Sequence, residues 1–185
     1  MTCSLGNASL TPLHARVPAG GNITARWYNT WNPTVYPNEW KHDRGPLLAY
    51  MARCPGITCD NWDGTGSVWF KIAELAGNEH PANTSDRYWW MPGLIGGRPS
   101  KTRPDPSWTV TVPMNLEPGA YLVRHELIVI PGRPLNPDNP GQPEFFPSCA
   151  QLIVEGQGTE RPTSKYLVSL PGAYKLSGWC ISLLS

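Results

Sequence analysis

Four histidines are the side chains of this chain best suited to ligate a metal or to move a proton near neutral pH. They are His14, His42, His80 and His125. No two of them stand at the H-x-H or H-x-x-x-H spacing that puts two ring nitrogens on one face of a strand or a helix. The spacing alone therefore predicts no metal site, and each histidine taken singly is more typical of a structural or exposed residue.

The tripeptide Arg124-His125-Glu126 is a second place where chemistry is concentrated. Side chains two apart on a strand share a face, so Arg124 and Glu126 could pair while His125 points the other way. We favour a structural interpretation, an ion pair beside a half-buried histidine with satisfied hydrogen bonds, because ion-pair networks are often structural. A catalytic interpretation would couple Glu126 with Glu144 or Asp43 as the two carboxylates of a glycosidase, which sequence spacing does not support.

The five cysteines favour disulfides over a metal site. Cys54 and Cys59 form a close pair and Cys3 and Cys149 a distant one, which leaves Cys180 over. Neither paired C-x-x-C spacing nor cysteine–histidine zinc spacing is present.

The sequence also indicates a secreted glycoprotein, since it carries N-glycosylation sequons. These stand at Asn7, Asn22 and Asn83. However, no apolar signal peptide precedes Cys3. The start of the sequence therefore does not fit the secretion that disulfide bonds would imply.

Composition narrows the class of partner. The formal net charge is +1 over 185 residues. The sequence has no basic run or acidic tail of the kind that would predict binding to nucleic acid or to an anionic membrane. The sequence also has no run of about 20 apolar residues, the length that would predict a membrane-spanning helix. Nine tryptophans predict either large buried area or flat faces for sugar rings.

The elements that must position these residues are mostly strands. Alternating or β-branched apolar runs punctuated by Gly and Pro predict an antiparallel β-sandwich, with no internal repeat. A short helical turn is expected only at Lys71–Ala76. The predicted strands are Ile23–Tyr28, Pro46–Arg53, Ser67–Ala73, Trp108–Val112, Ala120–Ile130 and Cys149–Glu155.

Five aromatic residues crowd the fourteen positions from Trp27 to Trp40. Each one singly is more typical of core, but an exposed cluster would form a stacking platform for a polysaccharide. They are Trp27, Tyr28, Trp31, Tyr36 and Trp40.

Six motifs between Cys3 and about Tyr174 give the chain a specific family resemblance. They are His42–Cys54, Trp69–Ile72, Trp108–Pro113, Leu116–Glu126, Phe146–Gln151 and Pro171–Tyr174. Together they resemble the fungal lytic polysaccharide monooxygenases of auxiliary activity family 9, formerly glycoside hydrolase family 61. The resemblance implies a secreted, immunoglobulin-like antiparallel β-sandwich with long loops that carries one copper on a flat face and cleaves cellulose oxidatively. It also implies the same two disulfides.

The copper ligands of the family transfer incompletely to this sequence. Members bind copper through the amino group and ring of an N-terminal His and through a second His before a Gly-Pro pair, and nitrogen ligands of this kind suit copper. Here the first residue is Met1, and Asp43 occupies the position two before Gly45. His42 stands one place earlier, so it could ligate copper only if the loop takes up one extra residue.

The groups that surround copper in the family are also altered. The axial tyrosine position holds Phe146, which has no hydroxyl, and the glutamine two residues earlier is Glu144. The histidine at the end of the Arg-His-Glu strand is replaced by Pro131, which cannot donate a hydrogen bond. Since such neighbours tune a metal, their loss predicts impaired chemistry.

Both ends of the sequence depart from the family pattern. We expect a single sandwich domain over residues 1–176, incomplete at its N-terminus, followed by a non-family tail over 177–185 that contains Cys180. One hypothesis covers the missing leader, the missing N-terminal portion and the tail, namely an incomplete or misassembled gene product.

These observations predict a copper-dependent monooxygenase of cellulose or another β-glucan that is impaired or inactive in this chain. The expected partners are the glucan and, if the enzyme is active, a reductant; we expect a secreted monomer. The alternative is a non-catalytic polysaccharide-binding protein that uses the Trp27–Trp40 aromatics.

Overall fold

The computed structural model of the protein describes Cys3 and residues 12–27, 45–75, 107–129 and 143–174. These residues form eight strands, and a single 3-10 turn, Ser164–Tyr166, precedes the last of them. In chain order the strands are β1 Ala15–Pro18, β2 Asn22–Arg26, β3 Leu47–Arg53, β4 Ser67–Leu75, β5 Ser107–Thr111, β6 Gly119–Val129, β7 Glu144–Glu155 and β8 Val168–Ser169.

Two sheets build the predicted β-sandwich. Six strands pair in the order β1-β7-β6-β3-β4-β8, and β2 and β5 form a separate two-stranded ribbon. The pairs of the main sheet run antiparallel except β1 with β7, which is parallel. The two longest strands, β6 and β7, are neighbours and share an uninterrupted register from Gly119↔Val154 to Val129↔Glu144.

The main sheet has two buried faces that we name by what covers them. The ribbon face carries Val123 and Leu127 and packs toward β2 and β5, where Trp27 and Val112 join its core. The loop face is covered by the loop after β3 and by the segment around Leu170. Its fully or nearly fully buried core consists of Leu48, Tyr50, Ala52, Cys54, Cys59, Trp69, Ala120, Leu122, Ile128 and Leu170. Successive residues of β6 alternate between these two faces, as the pleat requires.

All six predicted strands are present, and two of them differ from the prediction. The expected helical turn at Lys71–Ala76 is wrong over the described residues, because β4 continues to Leu75 and pairs with β3. Ile72 has no partner between Ala49↔Ala73 and Tyr50↔Lys71, so it forms a bulge that the sheet absorbs. Pairing with a buried neighbour has overridden a weak local preference.

Strand β7 is longer than predicted because it begins at Glu144 and includes Pro147. Proline lacks the N–H that a ladder on both sides would use. Pro147 is tolerated because β6 pairs with it on one side, while β1 reaches only Leu152–Glu155 on the other. Among the strands that the structure describes, β7 is therefore an edge at this point.

Both expected disulfides are present. The Cα atoms of Cys3 and Cys149 lie 5.1 Å apart, and those of Cys54 and Cys59 lie 5.2 Å apart. All four cysteines belong to the loop-face core or pack against it. Cys180 and the rest of the expected 177–185 tail lie outside the described residues. No helix within the described ranges has the length and apolarity that crossing a membrane would demand.

Candidate functional site

The positions at which the resemblance places chemistry converge on one end of the main sheet. Leu47 pairs with Leu127, and Leu127 pairs with Phe146, so three strands meet in one row. Adjacent strands lie about 4.8 Å apart, which puts the backbones of Leu47 and Phe146 about 10 Å from each other. We call this the upper end of the sheet; β3 and β7 begin here, and β6 finishes here.

Gly45 and Pro46 fix the entry of β3 at the upper end. Both are buried, and the N–H of Ile128 donates to the carbonyl of Pro46 at 3.1 Å. Gly45 has a φ of 134°, a conformation that favours glycine. The Gly-Pro pair of the family motif is thus anchored to β6, and His42 precedes it by three residues in sequence.

Glu144 and Phe146 project from the same side of β7 because they are two residues apart. Glu144 is exposed and stands opposite Val129, whereas Phe146 is half-buried and packs against the cluster that contains Trp27 and Leu127. The aromatic ring of Phe146 can shape a site at the upper end, but it offers no oxygen or nitrogen to a metal.

The carboxylate couple of Glu126 and Glu144 is wrong. Glu144 pairs with Val129, three residues from Glu126 along β6, so the two side chains leave opposite faces of the sheet. Two carboxylates on opposite faces cannot flank one glycosidic bond. The alternative couple with Asp43 lies outside the described residues.

The loop face instead uses Glu126 in a buried ion pair. Nη2 of Arg124 donates to Oε1 of Glu126 at 2.5 Å, and both side chains are at least 97% buried. The hydroxyl of Tyr174 donates to Oε2 of Glu126 at 2.6 Å, and its oxygen lies 3.3 Å from that of Tyr50. Both carboxylate oxygens of Glu126 are therefore hydrogen-bonded, which confirms the structural interpretation of this pair.

Burial and negative charge keep the two tyrosines of this network protonated. Burial, followed by the charge of Glu126, raises the pKa of Tyr174 far above its ordinary value. Burial likewise raises the pKa of Tyr50. No local pattern predicts Tyr174 as a partner of Glu126, because the two residues lie 48 positions apart in the sequence. Only the fold brings the two together.

His125, between the two residues of the ion pair, meets a different environment on the ribbon face. It is 5% exposed and makes edge contacts with Trp27 and Trp108, with ring centroids 6.2 and 6.0 Å away. Among the residues that the structure describes, its Nε2 atom has no hydrogen-bond partner. The prediction of a half-buried histidine with satisfied hydrogen bonds is thus wrong on both counts, because the ring is buried and Nε2 has no partner among the described residues.

A cavity of about 230 Å³ adjoins His125 on the ribbon face. Arg26 and Ser148 contribute polar groups to its wall, and Ile23, Trp27 and Val123 contribute apolar ones. Burial lowers the pKa of His125 to about 4, so the imidazole is neutral at pH 7.

Trp27 does not belong to an exposed stacking platform, because it is 9% exposed and lies in the ribbon-face core. The other four aromatics of that predicted cluster, Tyr28, Trp31, Tyr36 and Trp40, lie outside the described residues.

The described residues do not build a copper site. Within those ranges, no three His, Cys, Asp or Glu side chains converge as metal ligands. His14, which the structure does describe, accepts a hydrogen bond at Nε2 from the N–H of Cys59 at 3.0 Å. His42, Asp43, His80 and Pro131 all lie outside the described residues, so the family ligand positions remain predictions.

Of the three sequons, the structure describes Asn22. Its side chain is exposed on β2, and Oδ1 accepts a hydrogen bond from the Thr111 hydroxyl at 2.8 Å. The Thr24 hydroxyl of the same sequon lies 2.8 Å from that of Thr109. Asn7 and Asn83 lie outside the described residues, and glycosylation at all three stays a prediction.

Comparison with known proteins shows which family the chain resembles. The profile of Auxiliary Activity family 9 (formerly GH61) matches residues 1–183. AA9 family lytic polysaccharide monooxygenase B of Heterobasidion irregulare is 36% identical over 96% of this chain and 62% of its own length. Monooxygenase D of Thermothelomyces thermophilus is 36% identical over 86% of this chain and 55% of its own length.

A solved structure is similar over nearly the whole chain. The crystal structure of a cellulose-active polysaccharide monooxygenase from M. thermophila superposes with a TM-score of 0.70 and 35% identity, over 95% of this chain and 68% of that one. The chain spans about three fifths of the length of the relatives it matches.

Proposed function

The chain belongs to auxiliary activity family 9, and we propose that the protein it represents performs the copper-dependent oxidative cleavage of cellulose or a related β-glucan. The observation that carries the proposal is the upper end of the sheet. There the Gly45-Pro46 pair directly precedes β3 and Phe146 lies on β7, with β6 paired to both strands. Relatives named as polysaccharide monooxygenases support the choice of reaction.

The intact part of the sandwich supports this proposal as a scaffold. Arg124, Glu126 and Tyr174 form a closed network on the loop face, and Cys149 is tied to Cys3. Backbone pairing along the whole of β6 and β7 fixes the strand from which Glu144 and Phe146 project. A rigid scaffold of this kind is what a precisely placed metal site requires.

Copper would supply the redox chemistry, and this chain's own residues would shape its surroundings. We propose His42 as the copper ligand that this sequence offers; Phe146 would line the site without ligating, and Glu144 would place a carboxylate beside it. Because the described residues bring no ligand set together, we derive no catalytic step through the metal. We expect the 185-residue chain alone to support little or no oxidation, since one imidazole binds copper weakly.

The remaining assignments follow from the family and the disulfides. We propose cellulose or another β-glucan as substrate, a reductant as electron donor and secretion into an oxidising medium, where the bonds Cys3–Cys149 and Cys54–Cys59 persist. Glycosylation at Asn7, Asn22 and Asn83 and a monomeric state belong to the same proposal.

Cellulose incubated with copper, a reductant and peroxide tests the reaction. The protein secreted by the source organism should release oxidised oligosaccharides, and only when all three additions are present. Soluble reducing sugars that appear without copper or reductant would instead indicate a hydrolase. Cellulose binding without oxidised products would favour the non-catalytic binding protein.

Calorimetry with copper(II) tests the chain by itself. We expect weak binding for the 185-residue chain and still weaker binding for His42→Ala. Submicromolar binding that disappears in the His42→Ala variant would refute the expectation of an impaired chain.

A further inference from the structure

A groove at the end of the main sheet opposite the upper end has the features of a sugar-binding site. It has a volume of about 510 Å³, and Met114, Asn115, Thr163 and Tyr166 contribute to its walls. The loop over Pro113–Leu116 precedes Gly119, the first residue of β6, whereas Phe146 pairs with Leu127 near its last residue. The groove also reaches Phe70 and Lys71 in the middle of the sheet, where these residues pair with Met51 and Tyr50 of β3.

Backbone hydrogen bonds preform the groove. The N–H of Glu160 donates to the carbonyl of Asn115 at 2.9 Å, and the N–H of Glu117 donates to that of Glu160 at 3.1 Å. Gly158 packs so closely on Asn115 and Leu116 that a Cβ atom there would lie 2.3 Å from the Leu116 carbonyl oxygen. The two walls are thus locked together, which lowers the entropic cost of ordering a ligand between them.

The same walls expose large apolar groups to solvent. Met114 is 76% exposed and Tyr166 is 61% exposed, although the groove lies over the buried side chains Phe70 and Leu116. The 3-10 turn positions Tyr166, since its N–H donates to the carbonyl of Thr163 at 2.9 Å. An exposed aromatic ring on a fixed backbone is suited to stack on the apolar face of a sugar ring.

Charge decides which kind of ligand fits. The Arg161 guanidinium forms a two-point ion pair with Glu117, one contact being 2.7 Å. The Lys71 ammonium lies 2.7 Å from the Glu74 carboxylate. Both cations that line the groove are therefore paired with protein carboxylates, so an anionic ligand gains little from them; the Lys165 ammonium lies outside the groove lining, 5.5 Å from the centroid of the Tyr166 ring. Asn115, Thr163 and Glu160 remain as groups that can exchange hydrogen bonds with hydroxyls.

We propose that this groove binds a short segment of neutral, β-linked glucan, with the sugar face stacked on Tyr166 and Met114. The choice of glucan rests on the proposed function, whereas the preference for a neutral polyhydroxylated chain rests on the groove itself. The site is a second contact with the polysaccharide, at the end of the sandwich remote from Phe146. It anchors the protein on its substrate without touching the reacting bond.

NMR titration of the chain with cellopentaose tests the proposal. We expect the methyl signal of Met114 and the ring signals of Tyr166 to shift together. Tyr166→Ala should weaken binding about tenfold, which corresponds to about 1.4 kcal/mol, while Tyr166→Phe should bind as wild type because the ring carries the stacking. Ile57→Ala is the matched control, since Ile57 is 92% exposed, apolar and outside the groove; it should change nothing.

An oligogalacturonate of equal length tests the charge argument and should bind at least about tenfold more weakly than cellopentaose. Equal binding of the two, unchanged binding in Tyr166→Ala, or shifts confined to residues outside the groove would each overturn the proposal. If oxidised products form from cellulose but the Tyr166 signals do not shift, the proposal of a glucan-binding groove is refuted and the proposed function is retained. If the Tyr166 signals shift but the protein releases no oxidised products, the groove proposal is retained and the proposed function is refuted.

Discussion

Three consecutive residues of β6 meet opposite conditions on the two faces of one sheet. On the loop face, the charges of Arg124 and Glu126 are paired, and Tyr174 completes the hydrogen bonding of the carboxylate. On the ribbon face, His125 lies between two tryptophans beside a cavity, with Nε2 bare among the described residues. The loop face therefore holds a charged pair whose carboxylate is hydrogen-bonded, whereas the ribbon face holds a buried neutral ring beside a cavity.

The difference shows that burial alone does not define a structural residue. Glu126 and His125 are 1% and 5% exposed, yet one is fully hydrogen-bonded and the other is not. A buried polar group without a partner costs free energy, so burial of His125 stabilises the fold less than burial of an apolar ring would. Four measurements can break or sharpen this contrast, and they follow in order of expected effect.

Removing the long disulfide should have the largest effect. The double variant Cys3→Ala/Cys149→Ala opens a closure across a separation of 146 residues, and chain entropy predicts a loss of about 5 kcal/mol in the free energy of unfolding. Urea denaturation measures it. The pair Cys54→Ala/Cys59→Ala is the control, since its separation of 5 residues predicts a loss of about 2 kcal/mol. Equal losses would show that loop length is not the cause.

Breaking the ion pair on one side should cost about 3–5 kcal/mol. Glu126→Leu leaves the buried Arg124 guanidinium without its carboxylate and removes the acceptor of Tyr174. The double variant Arg124→Leu/Glu126→Leu should lose less, because no unpaired charge remains. Denaturation of both variants gives the comparison. If the double variant is the less stable one, the pair itself stabilises the loop face.

Acid should act on the ribbon face through His125. Its pKa is lowered to about 4 in the folded chain, so the unfolded chain binds the extra proton as the pH falls from about 6.5. Stability is therefore lost between about pH 6.5 and 4, by up to about 3 kcal/mol from this residue. His125→Phe, which keeps a ring between the tryptophans, should lose less over that range. Superimposable pH profiles for the two proteins would contradict the assignment.

The smallest effect should come from Tyr174→Phe. The change deletes the hydroxyl that donates to Oε2 of Glu126 but keeps the ring that stacks on Phe145 at 5.9 Å. Losing one hydrogen bond to a buried carboxylate should cost about 2 kcal/mol in thermal or urea unfolding. Tyr166→Phe, which alters an exposed hydroxyl, provides a control that should cost less than about 0.5 kcal/mol. A loss as large for the control would mean that the loop face has no special role.

Much of the sheet could be predicted from local pattern, and the errors have definite causes. Trp108–Val112 alternates and Ala120–Ile130 is apolar on both faces, which are direct signatures of strands. Lys71–Ala76 was misjudged because pairing with β3, a partner 21 residues earlier at Tyr50, overrode its local preference. The start of β7 is hard to predict because proline disfavours a strand. Whether the strand tolerates Pro147 depends on whether a neighbouring strand needs an N–H at that position.

The candidate site, like the sheet, could be predicted only in part from the sequence. The family resemblance predicts Glu144, Phe146 and the Gly45-Pro46 pair as neighbours of a site, and the register of β3, β6 and β7 brings their strands together. The copper ligand His42 stays a prediction. The glycosidase couple failed because Glu126 and Glu144 differ by an odd number of register steps, which sequence distance cannot reveal.

The sequence by itself determined the family, the disulfide pairs and the alternation of Arg124, His125 and Glu126 between two faces. These features depend on residue type and on the two-residue period of a strand, both of which are local. Only the tertiary structure decided what each face meets: Tyr174 opposite Glu126, two tryptophans around His125, and a preformed groove beside Tyr166. Such contacts join residues distant in sequence, so they depend on how the sheets and loops pack and not on any local pattern.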